Sequence, residues 1–168
     1  MLKMLRKIAS VGLVSEPPAE PDELLRVRRA LDDRILCVLG RALCIRHVDA
    51  GSCNGCELEI QALVNPLYNL EGLGIRFVAS PRHADLLLVT GPVSRNMQAA
   101  LRSTYDATPN PKLVVAIGDC GCTGGLFGEC AASLGRVSNV IPVDVAVPGC
   151  PPSPVRILQG ILTAVSGT

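Results

Sequence analysis

An α/β fold with one parallel sheet, flanked by helices, is what this sequence predicts. Three observations carry the prediction. Stretches such as Leu86-Leu87-Leu88-Val89 and Leu113-Val114-Val115-Ala116-Ile117 are apolar at every position, as strands buried on both faces are. Segments with helical spacing lie between such stretches, and parallel strands need crossover connections of that kind. The chain has 168 residues, enough for one domain with a real core.

In chain order, residues 1–14 carry apolar side chains at positions 1, 4, 5, 8 and 11, with Lys3, Arg6 and Lys7 beside them. That pattern fits an amphipathic helix lying on a membrane surface or a partner, and fits a frayed terminus equally. Glu16-Pro17-Pro18-Ala19-Glu20-Pro21 reads as a linker, because proline bars helix and fixes an extended path. Residues 22–40 return to helical spacing through Leu24, Leu25, Val27, Leu31, Ile35 and Leu36, with Asp22 as N-cap and Gly40 as stop. This helix is expected to pack outside the core. Residues 1–40 are thus an N-terminal extension, and residues 41–168 the α/β domain.

Within that domain, residues 42–48 read as a first strand and 56–66 as a helix ending at Pro66. Residues 74–80 form a second strand, and Pro81-Arg82-His83-Ala84 is a tight connection to a third at 85–90. A helix over 94–106 and a turn over 108–111 lead to a fourth strand at 112–118. The fifth, over 140–147, is interrupted at Pro142, and a last helix over 154–165 has proline at its start.

Composition narrows the function. The formal net charge is +1, aromatic residues make up 2% and there is no Trp. Nothing in that balance attracts nucleic acid or stacks its bases. No apolar run approaches the roughly 18–20 residues of a membrane span. Hydrophobic residues are 48% and charged residues only 18%, more apolar than a soluble monomer needs. The surplus reads as surface buried against partner subunits, the plainer account being an Ala/Val/Leu-rich core. The basic, apolar start lacks the long core and cleavage site of a secretory signal. Eight cysteines in a reducing compartment then read as metal ligands or free thiols, not disulfides.

The cysteines fall just after strands. Cys53 and Cys56 follow the first, in Asp49-Ala50-Gly51-Ser52-Cys53-Asn54-Gly55-Cys56-Glu57-Leu58-Glu59. Cys120 and Cys122 follow the fourth, and Cys150 the fifth, in Pro148-Gly149-Cys150-Pro151-Pro152. Loops that follow parallel strands share one edge, where such sheets bind ligands. Four thiolates from discontinuous segments suit a cubane [4Fe–4S] cluster. Glycines in these loops let backbone N–H groups approach the sulfurs. Zinc is the main alternative, although structural zinc sites usually pair two C-x-x-C knuckles in a small domain. A redox C-x-x-C is the weaker third, since it would not use Cys120 or Cys150.

Spacing does not choose between Cys120 and Cys122, which sit two apart and could face the same way. Cys37, Cys44 and Cys130 read as small buried residues, and His47 and His83 as structural. Glu57 and Glu59 make a solvated or hydrogen-bonded helix start, or carry protons near the site. Arg82 anchors its turn or lines a partner's cavity.

From about residue 45 to 163 the chain resembles the small, cluster-bearing subunit shared by complex I and the membrane-bound energy-converting [NiFe] hydrogenases. The matching stretches are Ser52-Cys53-Asn54-Gly55-Cys56-Glu57-Leu58-Glu59-Ile60, Ser80-Pro81-Arg82-His83-Ala84-Asp85, Gly118-Asp119-Cys120, Gly124-Gly125 and Pro142 through Pro152. The complex I subunit has two adjacent cysteines at the first position. This chain has Cys53-x-x-Cys56, as hydrogenase small subunits do, so the resemblance is to the formate hydrogenlyase and CO-induced hydrogenase branch.

The resemblance implies a flavodoxin-like fold and one [4Fe–4S] cluster on Cys53, Cys56, Cys120 and Cys150, with Cys122 left over. It implies an electron-transfer subunit, not catalytic alone, between a ferredoxin-like or polyferredoxin subunit and a hydrogenase large subunit bearing the Ni–Fe centre. Membrane-arm subunits would hold it peripherally on the cytoplasmic side of the membrane. Two rivals stand beside this reading: a complex I-like module that reduces quinone, and a zinc scaffold that moves no electrons.

Overall fold

The computed structural model describes Arg6 and residues 21–167. The expected amphipathic start and proline-rich linker lie outside the described residues. The elements are α1 (Pro21–Leu39), β1 (Leu43–Asp49), α2 (Gly55–Ala62), β2 (Ile75–Phe77), β3 (Leu86–Thr90), α3 (Gln98–Ala107), β4 (Leu113–Ile117), α4 (Gly118–Thr123), β5 (Val145–Val147) and α5 (Pro154–Ser166). All five strands are parallel, in the order β2-β1-β3-β4-β5. That is the flavodoxin-like order, and its direction reverses between β1 and β3. The loop after β1, with Cys53 and Cys56, therefore lies at the switch point.

The apolar strands are explained by layers on both faces. Leu86 and Leu88 of β3 enter a core shared with α1, α2 and α5, while Leu87 and Val89 enter a second core against Leu101 of α3, Val137 and Ile141. Side chains alternate along a strand, so a strand covered on both faces must be apolar throughout.

One expectation is corrected here. The first long helix does not pack apart from the core. Val27, Leu31 and Ile35 of α1 are buried in the same cluster as Ile45, Leu88 and Ile161. Residues spaced by four lie on one stripe of a helix, and that stripe settles on α5. Polar bonds tie the pair: Gln159 Nε2 donates to Glu23 Oε1 at 2.8 Å and Arg34 Nη2 to the Ser166 carbonyl at 3.2 Å.

Several boundaries also shift for local reasons. Helix α2 stops at Ala62, before a turn in which Asn65 Oδ1 accepts from the N–H groups of Leu67 and Tyr68. Helix α3 starts at Gln98, because Ser94 bridges to Ser133 and its Oγ accepts from Met97 N–H. Strand β5 keeps only three residues, since Val140 and Ile141 N–H groups both bond back to the Val137 carbonyl and pairing with β4 begins at Val145. The stretch after β4, read as a loop, is the short helix α4.

At the amino edge of the sheet two aspartates finish the ladders. Asp85 N–H donates to the Cys44 carbonyl at 2.8 Å, and its Oδ2 accepts from Cys44 N–H at 3.0 Å. Asp144 N–H donates to the Val114 carbonyl at 2.9 Å, and its Oδ2 accepts from Val114 N–H at 2.7 Å. Arg41 pairs with the Asp85 carboxylate at 2.6 Å.

Candidate metal centre

The first thiol pair is set by a folded turn at the end of β1. Asp49 Oδ1 accepts from the N–H groups of Gly51 and Ser52, each at 2.8 Å. Ser52 Oγ accepts from Asn54 N–H at 3.1 Å. Asn54 adopts a left-handed conformation, which Asn tolerates better than most residues, and α2 begins at the next position. Cys53 thus stays in the exposed loop while Cys56 is buried in the first turn of α2.

The loops after β4 and β5 close on this turn. A Cβ on Gly118, whose φ is +82°, would lie 2.6 Å from Cys56 Sγ and 3.4 Å from the Gly149 carbonyl. A Cβ on Gly125, at φ +56°, would lie 2.7 Å from Cys120 Sγ. Only glycine combines those backbone angles with that closeness to sulfur. A Cβ on Gly55 would meet Cys53 Sγ at 3.6 Å and Pro151 Cδ at 3.9 Å, so the first and last loops also touch.

The thiols feel one another. Burial pushes the Cys56 thiol up to about 12, and the charges of Glu57, Cys120, Cys53 and Cys150 add to the shift. Cys120 is raised by burial first, then by Cys150, Cys53 and Asp119. Four thiols from three loops therefore share one electrostatic neighbourhood. Yet among the described residues no three His, Cys, Asp or Glu side chains are set to hold a single metal ion.

Cys122 is held elsewhere. Residues two apart on an α-helix point about 200° apart, so α4 turns Cys120 and Cys122 in opposite directions. Cys122 packs on the second core, and its Sγ lies 3.6 Å from the Ala116 carbonyl. Burial pushes it up to about 11, and Asp119 adds to that. The possibility that both cysteines face one way is thereby corrected.

Other candidates are placed as follows. Cys37 and Cys130 are exposed and Cys44 is half-buried, against the expectation that all three are buried. His47 Nε2 sits 3.1 Å from Thr90 Oγ1, and burial lowers its pKa. Glu57 is only 7% exposed. Its Oε1 lies 3.7 Å from His47 Nε2, and neither carboxylate oxygen has a hydrogen-bond partner. A solvated or hydrogen-bonded helix start is therefore not what Glu57 provides.

Arg82 and His83 are exposed at the amino edge. With Arg41, Asp85 and Leu113 they line a cavity of about 660 Å³, at the end of the sheet away from the thiols. The residue that sequence reasoning passed over is Asp119, noted only as part of a motif. Its signal was a lone carboxylate placed between a strand and a candidate ligand.

Residues 53–164 match the family described as NADH ubiquinone oxidoreductase, 20 Kd subunit. The chain belongs to that family. Its relatives include the "Probable membrane-bound hydrogenase subunit mbhJ" of Pyrococcus furiosus, 47% identical over 141 residues, covering 82% of this chain and 84% of that one. Formate hydrogenlyase subunit 7 of Escherichia coli is 40% identical over 148 residues, covering 88% of this chain and 57% of its own. Among solved structures, a chain of an archaeal membrane-bound sulfane sulfur reductase superposes with a TM-score of 0.65 at 34% identity, covering 75% of this chain and 70% of that one. The Pyrococcus furiosus relative and the solved sulfane sulfur reductase are thus described as membrane-bound. Among the described residues of this member, no helix is long and apolar enough to cross a membrane.

Proposed function

We propose that this 20 Kd-type subunit transfers electrons within a membrane-associated [NiFe] hydrogenase, holding one [4Fe–4S] cluster on Cys53, Cys56, Cys120 and Cys150. The observation that carries this reading is the convergence of those four thiols, from three loops, at the carboxyl edge of a parallel sheet. The residues fit the group. Gly118 and Gly125 leave room beside Cys56 and Cys120 that any Cβ would fill. The chemistry of the donor set favours an iron–sulfur group over zinc, since the four thiols come from separate segments of one domain and not from two C-x-x-C knuckles.

When bound, such a cluster supplies a reversible one-electron step. The chain's own residues supply the rest. Cys56 and Cys120 give up their protons to become ligands. Cys56 anchors the buried side of the site, while Cys53 and Cys150, both exposed, leave its other side open to a partner. In this reading a Ni–Fe-bearing large subunit covers one side and a ferredoxin-like or polyferredoxin subunit delivers or takes electrons at another. Membrane-arm subunits hold the assembly at the cytoplasmic face. The chain provides no nickel ligands and is not a catalyst alone.

The Cys53-x-x-Cys56 spacing and the membrane-bound hydrogenase and formate hydrogenlyase relatives support the hydrogenase branch. The family description favours a second reading, a complex I-like module in which the same cluster serves quinone. Elemental analysis of the native complex, purified anaerobically through a tag on this chain, separates them. Iron with nickel is the expected result. Iron without nickel moves the reading to the quinone-linked module or to a sulfur-reducing complex like the solved relative. Zinc without iron overturns electron transfer altogether.

A further inference from the structure

Asp119 and Gly149 each stand one residue before a thiol of the site, Cys120 and Cys150. The regular pairing of β4 with β5 ends at Ile117 and Val147. Beyond it, Asp119 N–H donates to the Gly149 carbonyl at 2.8 Å, and Gly149 N–H donates back to Asp119 Oδ1 at 2.8 Å. This is the arrangement that Asp85 makes with Cys44, and Asp144 with Val114, at the far edge of the sheet. There it finishes ladders; here it joins two thiol-bearing loops after the strands have parted.

We infer that Asp119 is a positioning residue of the metal centre: its reciprocal hydrogen bonds with Gly149 fix Cys120 relative to Cys150, and its negative charge holds the potential of the bound cluster down. The inference rests on the cluster reading above. Partners that orient a ligand typically matter by roughly 10- to 100-fold in metal affinity. A nearby anion opposes the arrival of an electron, because charge and hydrogen bonding around the sulfurs set the potential.

The test uses the intact complex carrying Asp119→Asn, Asp119→Glu or Asp119→Ala, with iron per chain and an EPR-monitored redox titration as readouts. Asp119→Asn keeps an acceptor oxygen and loses the charge. It should retain iron near the wild-type level while the midpoint moves to a more positive value. Asp119→Glu keeps the charge and should keep the low midpoint in whatever cluster it holds. Asp119→Ala loses both functions and should bind iron roughly 10- to 100-fold more weakly. A full complement of iron with an unchanged midpoint in Asp119→Asn and Asp119→Ala overturns the inference alone. Wild-type complex without iron or a reducible EPR signal overturns the cluster reading, and this inference with it.

Discussion

At the amino edge of the sheet, Asp85 and Asp144 exchange paired hydrogen bonds with neighbouring strands, and Arg41 neutralises one of them. At the carboxyl edge, Asp119 makes the same exchange with Gly149, but the residue beside it is the candidate ligand Cys120. The first edge has its polar groups matched by protein partners. At the second, burial and neighbouring charges raise two thiols, and a buried carboxylate has no hydrogen-bond donor. Buried polar groups are normally satisfied, so a cluster of strained ones marks where something else binds. In sequence, Pro81–Ala84 reads as a tight connection and the Cys120 segment as a ligand loop; in the structure the first leads to the ladder-ending Asp85 and lines the cavity at that edge, and the second is the helix that carries Cys120.

The largest expected effect separates the two cysteines of α4. Cys120→Ser should abolish cluster binding, read as iron per chain, whereas Cys122→Ser should retain it. A hydroxyl can still donate to the Ala116 carbonyl and fits the space that the Cys122 side chain fills against the second core. Iron lost equally in both variants would put Cys122 back among the ligands.

The next effect is on pH. Iron must displace the protons of Cys56 and Cys120, both raised above the ordinary value. Apparent affinity of the metal-stripped protein for iron should therefore climb with pH, by up to about tenfold per unit for each of these thiols. Uptake measured between neutral and mildly alkaline pH checks this, and a flat profile would contradict the placement of Cys56 in the site. Folding of the stripped protein should show the opposite trend. A thiol raised from 9.0 to about 12 stabilises the fold fully below pH 9, and that contribution fades as pH rises toward 12.

Smaller effects sharpen the contrast from the amino edge. Asp144→Ala leaves the Val114 N–H in a buried strand without its carboxylate acceptor. It should lower stability by about 1–3 kcal/mol in thermal or denaturant unfolding, without moving iron content or midpoint. A changed midpoint there would mean that the two edges are not separate in function. Smallest of all, Arg41→Ala removes an ion pair whose cation is 58% exposed. Exposed pairs are screened, so stability should fall by less than about 1 kcal/mol.

Much of this was legible without coordinates, for local reasons. The uninterrupted apolar runs at 86–89 and 113–117 fit strands covered on both faces. The placement of thiols after strands needed only the rule that parallel strands end at one edge. What was hidden depends on partners distant in the chain. The stripe of Val27, Leu31 and Ile35 announces that α1 buries a face, but not that α5 receives it. Spacing in Gly118-Asp119-Cys120-Gly121-Cys122 carries no choice between thiols until the segment is known to be helical.

The sequence by itself determined the strands, the order of alternation and the set of thiols, because periodicity and chain connectivity are local properties. The tertiary structure alone decided that α4 turns Cys120 and Cys122 apart, that Glu57 is buried without a donor, and that Asp119 links the segments after β4 and β5. Those outcomes depend on distances across the sheet, which are set only when strands 30 residues apart in the chain are brought into register.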